Sequence, residues 1–288
     1  MKVKISGMSG YLGTLISNEL ITRGHQAEPI PRNLLFGEIS LLKKHIEGAD
    51  VVIHLSGSPI LTRWSEKKRK EIHDSRVHST KNLVGAIQML EPGKRPRKFI
   101  QASAIGIYKP WKIHNEESTD FEKGFIGVVT TDWENASMTL PEEVKRIVFR
   151  IGLVVGKKAK TITNLLLPFK LGLGATIGSG KQYFPFIHET DVANAFCWAV
   201  DQYSQSGIFN LTAPVLITNK QFTKSLAKNL NRNAFFVIPE FVIKLVLGEA
   251  AVLLTDIPGA VPSKLLEEGF EFQYPDIEVA LKNILTDK

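Results

Sequence analysis

The sequence predicts an α/β protein: a doubly wound parallel sheet with a smaller α+β lobe toward the C-terminus. Three observations predict it. Across the first 155 residues, short apolar runs alternate with longer segments of helical spacing, which implies parallel strands with helices on both faces. A glycine-rich turn separates the first strand from the first helix. Beyond Gly156 the alternation gives way to glycine-rich, proline-marked sequence, which suits a second lobe more than another strand–helix unit. At 288 residues, with 43% hydrophobic and 23% charged residues, the chain is long enough for a large core and is not disordered in character.

The elements follow in order. "KVKIS" (2–6) reads as a strand. "YLGTLISNELITRG" (11–24) places Leu12, Leu15, Ile16 and Leu20 at helical spacing and stops at Gly24. "QAEPIPR" is a proline-marked second strand, and "ADVVIHLSG" (49–57) is a buried strand ending at Gly57. One long helical segment is expected from Ser65 to about Leu90, then a strand over "KFIQASA" (98–104). A helix around Trp133 leads to a strand over "RIVFRIGLVVG" (146–156). "LLLPFKLGLGATIGSG" (165–180) reads as loop and irregular structure because of Pro168 and its glycines. "HETDVANAFCWAVDQ" (188–202) is helical, and "GIFNLTA" (207–213) returns a strand to the sheet. The expected division is therefore 1–156 plus about 188–213 for the main domain, and about 157–187 plus 214–288 for the lobe.

Charge and composition narrow the partners. A net charge of +7 suits an anionic partner, either nucleic acid or a phosphorylated small molecule. The densest basic run, Lys67-Lys68-Arg69-Lys70, is flanked by Glu66 and Glu71 and reads as a solvated helix face. Aromatics do not interleave with the cations as in a single-strand binder, so no nucleic-acid partner is expected. "VIPEFVIKLVLGEAAVLL" (237–254) is broken by Pro239, Glu240, Lys244 and Glu249, so no membrane span or membrane partner is expected. The one cysteine, Cys197, lies in an apolar run and reads as buried packing, which fits a reducing, cytoplasmic setting. Oligomeric state is not legible.

The strongest chemical signal is "ISGMSGYLG". Gly7, Gly10 and Gly13 form a G-x-x-G-x-x-G turn between strand and helix. Such glycines let backbone approach a diphosphate, and the helix N-terminus offers free N–H groups and a positive dipole end. At the end of the second strand stands Arg32, where an acid would favour NAD and a cation favours the 2′-phosphate of NADP. NADP(H) is therefore expected ahead of NAD(H). No G-x-S-x-G elbow, H-E-x-x-H pair or metal-like histidine spacing is present.

Seven segments ("ISGMSGYLG", "GADVVIHLSGSPI", "RWSEKKRKEIHDSRVHSTKNLV", "SAIGIY", "FRIGLVVG", "LLLPFKLGLGATIGSGKQYFPFIHETDVANAF" and "SKLLEEGFEF") resemble, in that order, blocks of the atypical extended short-chain dehydrogenase/reductase group often labelled epimerase family protein. The resemblance implies a Rossmann domain, a C-terminal substrate lobe and bound NADP(H). It also implies cofactor contacts from Gly7, Ser9, Gly10, Tyr11, Leu12, Gly13, Arg32, Leu55, Ser56, Gly57, Glu71, Arg76, Ile151, Gly152 and Leu153. From the residues alone, Glu71 and Arg76 would be helix-surface positions. The chain departs from the group's pattern at Met8, where Gly is usual, and at Ser9, where Thr is usual.

Extended short-chain enzymes move a proton with a Tyr four residues before a Lys. In "GFIGVVTTDWENAS", counting back from Glu134, those positions hold Ile126 and Thr130, and neither exchanges a proton at neutral pH. Ser103 fits the group's carbonyl-polarising serine, with a structural strand-end serine as the alternative. Tyr108, expected near the mouth of a cleft, is a weak candidate donor because an unassisted phenol titrates near 10. Asp132, Glu134 and His188 are further substitutes, each with a bland reading as a cap or buried hydrogen-bond partner. The sequence thus supports an NADP(H)-binding oxidoreductase, or a nucleotide-sugar-epimerase-like enzyme, acting on a small carbonyl or hydroxyl compound. The alternative is a dinucleotide sensor or interaction protein without turnover; some members of the group carry a cell-division-inhibitor label.

Overall fold

A computed structural model describes residues 1–286. Its strands are β1 (Lys2–Ser6), β2 (Gln26–Ile30), β3 (Val51–His54), β4 (Lys98–Ala104), β5 (Ile113–His114), β6 (Lys145–Ile151), β7 (Leu153–Val155), β8 (Ala175–Ile177), β9 (Phe186–His188), β10 (Gly207–Leu211), β11 (Phe236–Ile238) and β12 (Gly259–Ala260). The helices used below are α1 (Tyr11–Thr22), α2 (Arg32–Leu35), α3 (Ile39–Ile46), α4 (Glu66–Asp74), α5 (Val77–Gln88), α6 (Phe125–Asn135), α7 (Lys160–Lys170), α8 (Glu189–Asp201), α9 (Asn219–Asn229) and α10 (Glu240–Leu247).

Six parallel strands make the main sheet in the order β10-β6-β4-β3-β1-β2. From β1 the chain goes outward to β2 and then crosses to β3 on the other side. That reversal opens a crevice beyond the C-terminal ends of β1 and β3. Both faces of the sheet are covered, which is why strands such as "VVIH" are apolar almost throughout. On one face Val3, Ile5, Ile53 and Phe149 meet Ile16 and Leu20 of α1 and Phe196 of α8. On the other, Val52 and Phe99 meet Leu42 of α3 and Leu83 and Ile87 of α5. Each fully buried aliphatic side chain contributes about 1.5–3 kcal/mol. Cys197 is fully buried in the first of these clusters, and burial pushes its thiol up to about 12.

Three expectations are revised. The helix over 65–90 is two helices, because Ser75 turns back to accept the Ser58 backbone N–H at 3.0 Å and breaks the run before Val77. The strand over 146–156 divides at Gly152, where a Cβ would run into the Pro185 carbonyl; β6 stays in the main sheet and β7 leaves it to pair with β9. Residues 165–180 are not irregular throughout: α7 runs through Pro168, and β8 follows. An interior proline costs a helix roughly 3 kcal/mol. Here it falls near the C-terminal end, while Ile162 and Phe169 are buried on one side of the helix and offset that cost.

A second core lies around β7, β9, α7, α9 and the last helix, Ile277–Thr286. It gathers Val155, Phe169, Phe184, Phe186, Phe222 and Leu281. The Phe184 and Phe222 rings stack there at 3.9 Å. A capping box, Thr218 with Gln221, starts α9.

Candidate functional site

The turn after β1 is built as its glycines require. Gly7 has φ +73°, a left-handed conformation, and a Cβ on it would lie 3.1 Å from the Leu55 carbonyl carbon. A Cβ on Gly13 would collide with the Gly7 carbonyl and sit 2.6 Å from the Met8 Cα, so α1 packs directly beneath the turn. Gly10 is the N-cap and supplies no side-chain acceptor, leaving the first-turn N–H groups of α1 for another partner. Met8 packs against the main core while also bordering the crevice.

A cleft of about 350 Å³ opens from this turn. Gly7, Ser9, Gly10, Arg32, Leu55, Ser56 and Gly57 all line it. Seven residues that were not expected complete the lining: Pro29, Ile30, Pro31, Leu35, Phe36, Ser58 and Ser75. They give it an apolar end, and the Arg32 guanidinium lies 5.9 Å from the Phe36 ring centre. Alternation of strand and helix predicts the place of this wall, but its composition depends on how α2 folds back.

The remaining expected contacts lie around or away from that cleft. Tyr11 opens α1, and its hydroxyl donates to Glu189 at the start of α8. Burial, aided by that carboxylate, holds its phenol well above the ordinary value. Arg76 lies behind the wall: its guanidinium donates to the Ser58 and Ile72 carbonyls at 3.1 Å and sits 5.3 Å from the Trp133 ring centre. A Cβ on Gly57 would touch it at 3.0 Å, and burial lowers its pKa to about 10. Glu71 is exposed and outside the cleft lining, paired with Lys68 at 3.0 Å. Ile151, Gly152 and Leu153 are also outside the lining, at the junction of β6 and β7.

One supporting residue escaped the sequence reading. His54, at the end of β3, is fully buried between Ser6 and Ser79, with its Nδ1 2.5 Å from the Ser6 Oγ and its Nε2 3.1 Å from the Ser79 Oγ. Burial lowers its pKa to about 3, so the imidazole is neutral and acts as a polar spacer under the turn. A histidine within an otherwise apolar strand was the available signal.

Beyond the ends of β4 and β6 the arrangement differs. Register places Ser103 beside Arg150. Ser103 donates to Glu134 at 2.7 Å, and Glu134 is held by Arg150 through two contacts of 2.8 Å. Arg150 also donates to the Tyr108 hydroxyl at 2.8 Å, and that hydroxyl bonds Asn210 at 2.8 Å. All five residues are buried. The Ser103 hydroxyl is engaged with a carboxylate, the arrangement of the strand-end structural alternative. Tyr108 is 1% exposed rather than at a cleft mouth. Burial, partly opposed by Arg150, raises its pKa further from neutrality.

The vacated relay positions are equally closed. Ile126 is buried, and the Thr130 hydroxyl donates to the Ile126 carbonyl at 2.7 Å. His188 is the N-cap of α8, fully buried, with its Nδ1 accepting the Thr190 N–H at 3.2 Å; burial lowers its pKa to about 4. Asp132 is partly exposed, 3.4 Å from the His73 Nε2. The basic run on α4 is largely paired: Lys68 with Glu71, Lys70 with Asp74, and Arg69 with Glu249.

Residues 3–212 match the NAD dependent epimerase/dehydratase family. The chain belongs to that family. Residues 238–284 match a domain of unknown function, DUF1731. Epimerase family protein SDR39U1 of Mus musculus is 34% identical over 99% of this chain and 100% of its own length. Epimerase family protein YfhF of Bacillus subtilis is 32% identical over 100% of this chain and 99% of its own length. Among solved structures, human epimerase family protein SDR39U1 with NADPH superimposes with a TM-score of 0.92 at 30% identity, covering 99% of both chains. The family assignment agrees with the resemblance carried by the seven segments, and the sheet is the doubly wound Rossmann type expected for such a member. Among the described residues, no helix is long and apolar enough to cross a membrane.

Proposed function

We propose that this epimerase-family protein binds NADP(H) in the cleft after β1 and uses it to oxidise or reduce a small hydroxyl or carbonyl compound. The observation that carries the reading is the glycine cradle, where side chains at Gly7 and Gly13 are sterically barred and the α1 amides have no side-chain cap. That combination fits a diphosphate. Ser9 and Gly10 border the phosphate position, Ile30, Leu35 and Phe36 offer apolar surface to a base, and Arg32 supplies a cation for a 2′-phosphate. The NADPH in the human SDR39U1 structure supports the same preference.

Bound nicotinamide supplies or accepts a hydride. The residues lining the cleft would hold the dinucleotide, and the network beyond β4 and β6 fills the neighbouring sheet end. Ile126 and Thr130 exchange no proton, so water or a group of the substrate supplies the proton in reduction and takes it up in oxidation. The lobe of about 157–187 and 214–288 is the element assigned to substrate. Titration calorimetry with NADPH and NADH tests the binding, and absorbance at 340 nm over a panel of carbonyl compounds tests turnover. A protein that binds neither dinucleotide refutes the whole reading.

A second reading, a dinucleotide sensor without turnover, is favoured by one specific observation. The sheet end where a relay would sit is filled by the Ser103–Glu134–Arg150–Tyr108 network. Tight NADPH binding with no absorbance change across the panel selects it.

A further inference from the structure

The lobe carries a surface that cofactor binding does not use. α10, "EFVIKLVL", buries none of its residues. Phe241 is 70% exposed and Leu245 74%, one turn apart on the same side of the helix. Immediately before it, Phe235 is 82% exposed and Phe236 is exposed as well. Parallel pairing of β8 with β11 sets Ala175 beside Phe236, which brings exposed Leu171 and Leu173 next to this segment. The Arg232 guanidinium donates to the Lys170 carbonyl at 2.9 Å and fixes that junction.

Large apolar side chains thus stand exposed along three neighbouring stretches of the lobe, 171–173, 235–236 and 241–245, more than the singly scattered surface hydrophobics of an ordinary monomer.

Charge indicates what occupies this face. Residues 157–187 and 214–248 hold ten Lys or Arg and one acid, Glu240, a net charge of +9 in a chain whose total is +7. Lys170, Arg232 and Lys244 stand within the apolar segments themselves, and Lys220, Lys224 and Lys228 follow one another at four-residue spacing along the exposed side of α9. The other acids of the lobe lie in 249–288, outside these segments, so the cations here are concentrated beside the exposed apolar side chains. An anionic surface is attracted, and aromatic and leucine side chains among lysines suit the boundary between headgroups and acyl chains. We propose that this face of the lobe docks on an anionic lipid surface. No membrane partner was expected because the chain, among its described residues, lacks a span; peripheral docking needs none.

The test is co-sedimentation of the full chain with phosphatidylcholine vesicles containing about one-third phosphatidylserine, at low and high salt. Binding to these vesicles at low salt, little binding to pure phosphatidylcholine, and release by salt are expected. Phe241→Asp with Leu245→Asp lowers the partition coefficient at least roughly tenfold, with an unchanged melting temperature because both side chains are exposed. Lys170→Gln, Arg232→Gln and Lys244→Gln lower it roughly fivefold each. Absence of low-salt binding overturns the proposal. So does binding that survives the double Asp variant, which is attraction by charge alone. A dimer seen by light scattering and dispersed by that same variant assigns the face to a second copy and overturns it too.

Discussion

The two halves of the main sheet's C-terminal edge are built on opposite principles. Beyond β1 and β3, glycines keep backbone amides bare and the cleft is open. Beyond β4 and β6, Ser103, Glu134, Arg150, Tyr108 and Asn210 satisfy one another and the space is filled. The first half leaves its backbone amides unpaired; the second pairs its polar side chains with one another. The proposed cofactor cleft and the filled sheet end are thus built separately, the second around the Glu134–Arg150 ion pair.

The most severe test of this contrast is Glu134→Ala. It leaves Arg150 buried without its carboxylate and should cost about 3–5 kcal/mol of stability by denaturant titration. Dinucleotide affinity of the folded protein should be unchanged. If affinity collapses in step with stability, the two halves are not independent.

Gly13→Ala attacks the other half. Calorimetry should show NADPH affinity falling by roughly two orders of magnitude, since α1 must move away from the turn to admit the methyl group. Retained affinity breaks the cradle argument.

Acid probes the floor of the open half. The folded pKa of His54 lies far below that of the unfolded chain, so the unfolded state takes up the proton first. His54 therefore contributes stability that is present above about pH 6.5 and is lost as pH falls toward 3. Denaturation at pH 6.5 and pH 5 should show His54→Gln losing about 2 kcal/mol less than wild type over that interval, at about 1.4 kcal/mol per pH unit. His188, lowered to about 4, adds loss of the same sign in both proteins. Equal losses in the two proteins would falsify the neutral-spacer role.

Arg32→Ala should weaken NADPH by roughly tenfold, about 1.4 kcal/mol, and leave NADH almost untouched. An equal loss for both removes the 2′-phosphate assignment. Ser103→Ala has the smallest expected effect, about 1 kcal/mol of stability. Any turnover found in the carbonyl panel should survive it; a large fall in kcat restores the serine to the chemistry.

The open half was the legible one. A strand, a spaced glycine turn and a helix are neighbours in sequence, and the physics that links them is local. Arg32 was readable for the same reason. The filled half was not: Ser103 and Arg150 are 47 positions apart, and only the β4–β6 register makes them neighbours. Arg150 stands in an apolar strand, but nothing local in the sequence points to its partner. α7 was missed because Pro168 outweighed the spacing of Ile162 and Phe169, which tertiary burial then rewarded. Phe36 and Ser75 entered the cleft through the fold-back of α2 and the break between α4 and α5, neither of which has a local signature.

Glu189 accepts both the Tyr11 hydroxyl and, at 2.9 Å, the backbone amide of Lys157. One carboxylate therefore links the head of the first helix to the chain just after β7. If the proposed cofactor draws the glycine turn toward it, deuterium uptake at the Lys157 amide should slow when NADPH is added.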